Sequence, residues 1–361
     1  MKAKTVFKSI GYSLAGLLIL VVLLASGYIV SLTAAYQRVP DQFTLKVENK
    51  LGTVNKLSTG TNYTVSTFNV GFGAYNHDFS FFMDGGEYAR AQSKAIVNTN
   101  TAGALNIVQG LSVDFAMFQE VDIKATRSLG VNQYSAFKAG LIGYESHFAV
   151  NFNMPYLIYP FNEPIGAVYG GIATMSKYTI EKAVRYSLPV DFSWPNRFFD
   201  LDRCFTASFV PVTNNKYLVL VNLHLSAFDE GGKVRAAQLE KLMTLIEAEY
   251  ELGNYVVVGG DWNHILGGAL YEQETPEQMR PDWVQELPVE FASINFDWAV
   301  ANDVMTCRTT DIAYTAGVNY EVVIDGFFVS KNVSFSMVQN IDAGFVYSDH
   351  NPVKLTFSLN P

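Results

Sequence analysis

Polar residues that could bind a metal ion or transfer a proton recur at the ends of apolar, strand-like runs of this 361-residue chain. In six segments an Asn, Asp, Glu or His directly follows such a run, where a strand can hold the backbone while the side chain faces a shared pocket. In chain order the segments are Thr67–Gly71, Phe118–Glu120, Val221–Leu225, Gly259–Asn263, Ile324–Phe328 and Ser348–Pro352.

These side chains suit metal-assisted hydrolysis of a phosphate ester. Oxygen donors from Asn69, Glu120 and Asp349 fit an octahedral Mg²⁺ or Mn²⁺ ion that keeps several waters. Such an ion polarises a phosphoryl oxygen and stabilises the charge that develops in the transition state. The attacking water must also be deprotonated and aligned, which a paired His and Asp can do. Asp261 and Asn263 are spaced so that one turn offers a carboxylate to the water and an amide to the phosphate.

Taken one at a time, the motifs have ordinary structural explanations. A lone Asn69 or Glu120 is more often a turn or cap residue than a ligand. The Ser348–His350 segment is common in turns and helix starts, and Gly260–Asn263 could be a tight turn. The informative feature is the order of all six segments along one chain.

That ordered set resembles the endonuclease/exonuclease/phosphatase superfamily, here as a membrane-anchored, bacterial-type member. The superfamily includes pancreatic-type deoxyribonucleases, apurinic endonucleases, neutral sphingomyelinases and inositol polyphosphate phosphatases. The resemblance covers about residues 62–358 and is specific for the superfamily but not for a substrate. It implies a four-layer α/β sandwich and a hydrolase that depends on Mg²⁺ or Mn²⁺.

The resemblance also implies roles for individual residues. Asn69 matches the Asn that ends the first strand near the metal and the attacked phosphate. Glu120 matches the metal-binding Glu of a Gln-Glu motif, and Asp349 belongs to the terminal Asp-His pair on the metal side.

The remaining matched residues are expected to act on the substrate. His224 resembles a histidine that protonates the leaving oxygen or holds the phosphate. Asp261 and Asn263 match the pair that aligns the water and stabilises the transition state. Asp325 resembles the Asp that orients a catalytic His, and His350 the general base.

Two departures argue against a DNA-repair enzyme. Apurinic endonucleases carry an Asp two positions after the first-strand Asn, where this chain has Gly71, and their phosphate-site Tyr has no assigned equivalent. Arg203 either places a guanidinium near the pocket, as similar proteins do, or forms a surface salt bridge. The net charge of −9 disfavours tight nucleic-acid binding but allows an enzyme that meets phosphate at a metal ion.

The pattern of apolar residues predicts the elements that position these groups. Many short strands with few, widely spaced helices favour an α/β (α+β) fold, in which two packed, mostly antiparallel sheets are flanked by helices. One helix is expected over Lys233–Leu252, with Leu239, Leu242, Met243 and Ile246 on one face and Arg235, Glu240, Lys241 and Glu247 opposite. A second is expected over Glu87–Gln109. The predicted strands are Tyr63–Val70, Asp114–Phe118, Tyr169–Ser176, Phe205–Val212, Tyr217–Leu223, Tyr255–Val258, Tyr320–Val329 and Val353–Phe357.

The N-terminal segment predicts a membrane anchor, because no charged residue occurs from Ile10 to Tyr36. Residues 1–9 form a short basic end that stays in the cytoplasm, 10–36 a transmembrane helix, 37–61 a tether with room for one edge strand, and 62–361 the catalytic domain. The catalytic domain is then extracytoplasmic. The alternative is a signal peptide cleaved near Thr33–Ala35, although its apolar core would be unusually long. Cys204 and Cys307 are expected to be buried free thiols, with a single disulfide as the alternative.

Two aromatic, proline-broken segments, Asn153–Phe161 and Phe192–Phe199, are interpreted as loops that could meet lipid headgroups or pack over the sheet. The favoured function is hydrolysis of a phosphodiester or phosphomonoester, with a membrane-lipid headgroup slightly ahead of other substrates. An extracellular nuclease, with nucleic acid as substrate only, is one alternative. A catalytically silent surface-binding protein on the same fold is the other.

Overall fold

The chain folds into two β-sheets with helices against both of their outer faces. The computed structural model describes residues 2–194, 197, 202–227, 232–267, 272–288, 291 and 293–361. The helices are α1 (Lys2–Ala35), α2 (Lys94–Leu111), α3 (Gln133–Gly140) and α4 (Lys233–Glu251), with 3₁₀ turns at Gly71–Gly73 and Phe82–Asp84. The strands are β1 (Phe43–Thr44), β2 (Asn62–Asn69), β3 (Phe115–Ala125), β4 (Glu145–Leu157), β5 (Gly166–Ser176), β6 (Lys182–Ser187), β7 (Cys204–Pro211), β8 (Tyr217–His224), β9 (Tyr255–Asp261), β10 (His264–Ile265), β11 (Glu272–Gln273), β12 (Gln285–Glu286), β13 (Phe296–Ala299), β14 (Cys307–Arg308), β15 (Glu321–Val322), β16 (Asp325–Ser330), β17 (Val333–Asn340) and β18 (Val353–Leu359).

The two large sheets are mostly antiparallel, as predicted. The seven-stranded sheet has the order β1-β6-β7-β8-β9-β16-β13, and the six-stranded sheet the order β17-β18-β2-β3-β5-β4. Among the described strands of these sheets, the parallel pairs are β2–β3 and β8–β9. Smaller sheets, β10-β12 and β11-β15-β14, are formed by short strands between β9 and β16.

Alternating apolar residues along the strands build the four layers. Leu218 and Leu220 of β8 point between the sheets, where they join Met117 of β3 in one buried cluster. Val219 and Val221 of the same strand belong to the cluster under α4. Because neighbouring side chains of a strand face opposite sides, this sequence buries both faces of the sheet. On the other outer face, α2 and α3 cover the six-stranded sheet, which confirms the four-layer prediction.

Helix α4 has the predicted apolar face, with one exception on its polar side. Leu239, Leu242 and Ile246 are buried against the sheet as expected. Arg235, predicted to face solvent, is only 3% exposed, and its Nη1 donates to the carbonyl of Trp283. The prediction was wrong for this residue because a loop distant in sequence covers the start of the helix.

Helix α2 begins seven residues later than the predicted start at Glu87. The Ser93 Oγ accepts from the amide of Ile96 and caps the helix. The amides before it are bonded elsewhere, that of Tyr88 to the Ser80 carbonyl and that of Ala91 to the Arg127 carbonyl. Tertiary hydrogen bonds therefore hold the 87–92 segment out of a helix.

Two predicted strand boundaries also change. The Tyr320–Val329 run is broken into β15 and β16, because the amides of Ile324 and Asp325 both bond to the Thr306 Oγ1 instead of to a neighbouring strand. The Asn153–Phe161 segment was predicted to be a loop, yet β4 continues through Leu157 and only the residues after it form a loop. The second aromatic segment, Phe192–Phe199, lies partly outside the described residues.

The N-terminal helix α1 is long and apolar enough, from Val6 to Ala35, to cross a membrane. Beyond it, residues 37–61 lie against the sheets: β1 pairs with β6, and Leu45 and Leu57 are buried in the core between the sheets. This segment is thus packed on the domain rather than suspended from it. Cys204 and Cys307 are buried and free, which confirms the prediction of two thiols.

The space between the sheets contains a histidine whose burial makes the fold sensitive to acid. His147 of β4 contacts the Ser208 Oγ of β7 through Nε2 at 2.6 Å. Burial lowers the pKa of His147 from 6.5 to about 3. The unfolded chain binds a proton below its ordinary pKa, whereas the folded chain resists protonation until a much lower pH. The free energy of unfolding is therefore highest above the pKa that His147 has in the unfolded chain. It falls as the pH drops from that value toward the pKa of His147 in the folded chain.

We expect the free energy of unfolding to fall by up to about 1.4 kcal/mol per pH unit across this window because of His147. Urea denaturation of the parent and of His147→Gln, from neutral pH down to pH about 4, measures the slope. The variant should show a flatter pH dependence of the free energy of unfolding than the parent. Equal slopes for the parent and His147→Gln would contradict the assignment.

Candidate active site

The topology of the two sheets brings the predicted site residues to one end of the sandwich. The register of the seven-stranded sheet places His224 opposite Asp261, and Asp261 opposite Asp325, on the adjacent strands β8, β9 and β16. In the six-stranded sheet Asn69 ends β2, next to the part of β3 that carries Glu120. A hydrogen bond of 2.9 Å from the Asn69 Nδ2 to the Asp261 Oδ2 joins the two sheets at this end.

Asp261 is the hub of this arrangement. Besides Asn69, its Oδ2 lies 3.3 Å from the His224 Nε2 and 3.7 Å from the His350 Nε2. Its Oδ1 accepts from the backbone amide of Asn263 at 2.9 Å. Burial raises the pKa of Asp261 to about 6, although the nearby charge of His350 opposes the rise. A carboxylate in this setting depends on its hydrogen-bond donors to remain ionised.

His350 forms a second pair with Asp325. The His350 Nδ1 lies 2.8 Å from the Asp325 Oδ2, which fixes the ring and leaves Nε2 facing the Asp261 side of the site. Burial lowers the pKa of His350, but the carboxylates of Asp325 and Asp261 more than offset this and raise it well above its ordinary value. This geometry can hold a proton at Nε2 or accept one there.

His224 has the opposite electrostatic setting. Burial lowers its pKa well below 6.5, and the positive charge of Arg203 lowers it further. The imidazole is therefore neutral at physiological pH. Arg203 itself is buried, and its effect on His224 agrees with a guanidinium near the pocket.

Glu120 is held on a distorted part of β3. The strand contains a bulge between Phe118 and Val121, and Glu120 itself has a φ of 54°, which is uncommon for a residue with a long side chain. Its Oε1 lies 3.3 Å from the Asn69 Nδ2. Behind the bulge, Arg127 binds Asp122 through two hydrogen bonds of 3.1 and 3.0 Å. Such strain at a polar side chain is typical of functional sites.

Asp349 completes the acidic side of the site. Its loop is tied to β2 by the Ser348 Oγ, which donates to the Asn69 carbonyl at 2.8 Å. Burial raises the pKa of Asp349, and the Glu120 carboxylate adds to the rise against the opposing charge of His350. The Glu120 carboxylate thus lies close enough to disfavour the charged form of Asp349, an effect that a divalent cation beside them would relieve.

The donor chemistry therefore fits a hard cation at Glu120 and Asp349. Asn69 turns its NH₂ group toward the cluster, and its Oδ1 accepts from the amide of Gly71, so its role as a direct ligand stays a prediction. Asp261, Asp325 and His350 also have potential ligand atoms within 4.8 Å of one another. Because the His350 Nδ1 is engaged by Asp325, we interpret that trio as a proton-transfer unit instead.

The Gly259–Asn263 motif needs glycine for a steric reason. A Cβ at Gly260 would lie 2.1 Å from the carbonyl oxygen of Leu223, so only glycine allows β8 and β9 to approach here. Trp262 is buried and donates to the Gly326 carbonyl at 3.2 Å. The Asn263 Nδ2 donates to the Leu225 carbonyl at 2.8 Å, so its predicted contact with phosphate also stays a prediction.

Sequence reasoning missed Tyr75 and Arg127. Burial raises the pKa of Tyr75 well above its usual value, and Glu120 and Asp349 add to the rise, which places the ring beside the acidic pair. The glycine-rich Gly71–Tyr75 turn directly after Asn69 was the available signal. It also explains the departure at Gly71, where a Cβ would lie 2.6 Å from the Tyr75 Cδ2 and 3.0 Å from the Asp349 Oδ1.

Comparison with known families identifies the family of the chain. The model of the Endonuclease/Exonuclease/phosphatase family matches residues 66–350, a range that includes every predicted site residue. The chain belongs to this family. Members of the Endonuclease/Exonuclease/phosphatase family are hydrolases that act on phosphate esters. No curated protein sequence matches the chain.

Solved structures of family members share the fold at low sequence identity. A Beutenbergia cavernae DSM 12333 endonuclease/exonuclease/phosphatase is similar with a TM-score of 0.54 and 16% identity, covering 83% of this chain and 72% of its own. One from Bacteroides vulgatus has a TM-score of 0.52 and 17% identity, covering 83% and 100%. ANGEL2, a 2',3'-cyclic phosphatase bound to adenosine-2',3'-vanadate, has a TM-score of 0.52 and 15% identity, covering 90% and 100%. These likenesses support the fold.

We expect Asp325→Asn to lower kcat toward a chromogenic phosphodiester by about 10²-fold or more, because the His350 ring loses its charged partner. The double variant with His350→Ala should be no worse than His350→Ala alone, since the pair acts as a unit. Asp297→Asn, at an exposed carboxylate of β13 in the same sheet, should retain parental activity. Additive losses in the double variant would show that the two residues act independently.

Proposed function

We propose that this protein is a Mg²⁺- or Mn²⁺-dependent hydrolase of phosphate esters, anchored by α1 with its catalytic domain outside the cytoplasmic membrane. The observation that carries the proposal is the convergence of Asp261, His224 and the His350–Asp325 pair beside the paired carboxylates of Glu120 and Asp349. Family membership supports the class of reaction.

In the proposed mechanism, Glu120 and Asp349 hold the cation, which supplies Lewis-acid polarisation of a phosphoryl oxygen when bound. His350 would accept at Nε2 a proton of the water whose oxygen bonds to phosphorus, while the bond from phosphorus to the leaving oxygen breaks and that oxygen takes a proton from solvent. Asp325 holds the ring at Nδ1 so that Nε2 faces the reacting atoms.

Asp261 and His224 act on the charge that develops at phosphorus. Asp261 orients the attacking water. The Asn69 side chain and the Asn263 backbone amide hold the Asp261 carboxylate in place. His224 is kept neutral, so it suits the role of a hydrogen-bond donor to phosphate better than that of a proton source. Asn263 is proposed to stabilise the transition state through its side-chain amide.

A membrane-lipid headgroup is the favoured substrate class. The support is the position of the domain, since the end of the apolar helix α1 packs directly against β4 and its following loop. The alternative of an extracellular nuclease is supported by ANGEL2, whose bound adenosine-2',3'-vanadate is a nucleotide analogue. A catalytically silent binding protein is the third candidate, although all six motifs retain residues competent for catalysis.

Substrate classes can be separated with the full chain in vesicles. We expect release of phosphate or headgroup from sphingomyelin or phosphoinositide vesicles in the presence of Mg²⁺, and a loss of at least about 10²-fold in Asp261→Ala, which removes a group acting mainly in the transition state. Plasmid cleavage without lipid hydrolysis would replace the lipid proposal with the nuclease. Absence of every activity, with His224→Ala and His350→Ala behaving like the parent, would favour the silent protein.

Metal dependence can be tested by titration of the same preparation. Glu120→Gln removes one of the two proposed carboxylate ligands, so we expect it to raise the Mg²⁺ concentration for half-maximal activity by about ten-fold or more. Glu251→Gln, at the exposed end of α4, is the matched control and should titrate like the parent. An unchanged Mg²⁺ requirement in Glu120→Gln would exclude it as a ligand.

A further inference from the structure

The last turns of α1 are fixed to the catalytic domain by specific contacts. The Tyr28 hydroxyl donates to the Tyr156 carbonyl at 3.2 Å and accepts from the Ile158 amide at 3.1 Å. One turn later Leu32 is buried in an apolar cluster with residues of β4. The Tyr36 hydroxyl then donates to the Asp202 Oδ1 at 3.3 Å. The helix therefore cannot pivot freely relative to the sheets.

These contacts fix the position of one loop along the axis of α1. Tyr28 lies seven residues before the end of α1 at Ala35, which corresponds to about 10 Å along the axis at ~1.5 Å per residue. The helix before it is apolar and exposed on all sides, as a lipid-facing helix is. A tyrosine at the end of such a span is characteristic of the boundary between hydrocarbon and water. The backbone bonded to Tyr28 must lie at the same level.

That backbone belongs to the segment Tyr156–Phe161, here called the interfacial loop. It is uncharged, and it exposes Tyr156, Ile158 and Tyr159 by 52%, 42% and 48% and Phe161 by 78%. A contiguous set of exposed large apolar side chains marks a contact surface. Its continuity with the apolar, exposed helix α1 identifies the occupant as the bilayer rather than another protein.

The same loop is connected to the candidate active site through successive ring contacts. The Tyr159 ring packs 5.9 Å from the ring of Phe82, in the 3₁₀ turn Phe82–Asp84. The preceding Phe81 packs 5.8 Å from Tyr75, the ring beside Glu120 and Asp349. A chain of ring contacts thus connects the helix-bound loop to the acidic side of the site.

We propose that the interfacial loop inserts into the outer headgroup layer of the membrane that α1 crosses, so that helix and loop together hold the active-site rim against the bilayer surface. The proposal rests on the membrane anchor of the proposed function and extends it to a second membrane contact. Aromatic rings with polar tips suit this layer, and an amphipathic surface of this kind enters it by about 5–10 Å.

Site-directed fluorescence can test the insertion in the full chain. Cys204 and Cys307 are 0% and 4% exposed, so a single introduced cysteine can be labelled selectively with a nitrobenzoxadiazole fluorophore. The label is placed at Phe161→Cys, at Leu20→Cys in the middle of α1, and at Ile142→Cys as the control. Ile142 is 87% exposed and precedes β4, whereas Phe161 follows that strand. The length of β4 separates the two positions by roughly 40 Å.

In phosphatidylcholine vesicles containing spin-labelled lipids, we expect a blue shift and loss of emission at Phe161→Cys with spin labels near the headgroup. The loss should be smaller with spin labels deep in the acyl chain, where Leu20→Cys should be quenched most. Ile142→Cys should keep its emission with both lipids. All three sites are exposed, so the substitutions remove no core packing.

Each remaining outcome overturns the proposal in a distinguishable way. Quenching of Leu20→Cys while Phe161→Cys behaves like Ile142→Cys would leave the anchor and exclude insertion of the loop. No quenching of Leu20→Cys would exclude both the membrane anchor and the insertion of the loop. A blue shift at Phe161→Cys that lipid spin labels do not quench would assign the loop to a protein partner instead.

Hydrolysis provides a second readout, separate from the proposed function. In phosphatidylcholine vesicles that also contain sphingomyelin or phosphoinositide, the double variant Ile158→Ser/Phe161→Ser should lower turnover of that lipid and leave hydrolysis of a soluble phosphodiester at the parental rate. Equal effects on both substrates would contradict a role in membrane docking. Absence of hydrolysis in the parent would refute the proposed function, while the quenching result would still decide the position of the loop.

Discussion

The burial of several carboxylates in one small volume is the constraint on which this structure depends. Asp261 and Asp325 are buried and Asp349 is half-buried, and the charged form of each loses hydration that must be replaced. The Asp261 carboxylate accepts hydrogen bonds from the Asn69 side chain and the Asn263 backbone amide and lies beside two histidines. The Asp325 carboxylate pairs with His350. The neighbouring carboxylates of Asp349 and Glu120 favour a positive charge beside them, so a divalent cation suits that side of the site.

The sheet topology meets this constraint with few special features. Because β8 and β9 are parallel, both strands deliver a polar residue at their carboxyl ends, and the antiparallel β16 starts at the same edge with Asp325. In the facing sheet, β2 ends at Asn69 beside the bulge in the middle of β3 that carries Glu120. Close approach of β8 and β9 requires Gly260, and the bulge at Glu120 turns that side chain toward its partners. The close approach at Gly260 and the bulge at Glu120 thus bring the candidate site residues together at one end of an otherwise regular sandwich.

The sequence predicted the layers and the positions of the site residues better than it predicted element boundaries. Asn69, Glu120 and Asp261 were recognisable because each follows an apolar strand, a local pattern that tertiary contacts do not erase. The start of α2 and the break before Asp325 were missed because amides there bond to groups distant in sequence, as the Thr306 hydroxyl shows. Arg235 was misplaced for the same reason, since its cover comes from the loop at Trp283.

The packed connection between α1 and the domain changes what the membrane anchor can do. A flexible tether would raise only the local concentration of enzyme near the bilayer, and the acidic chain, at −9, would be repelled by anionic lipids over about a Debye length. Contacts from Tyr28, Leu32 and Tyr36 oppose that repulsion by fixing the approach geometrically. In the proposed arrangement, the uncharged interfacial loop adds apolar attraction at the point nearest the helix, which does not depend on lipid charge. The proposed anchor and loop would then keep the active-site rim of an acidic domain at the surface of a membrane that would otherwise repel it.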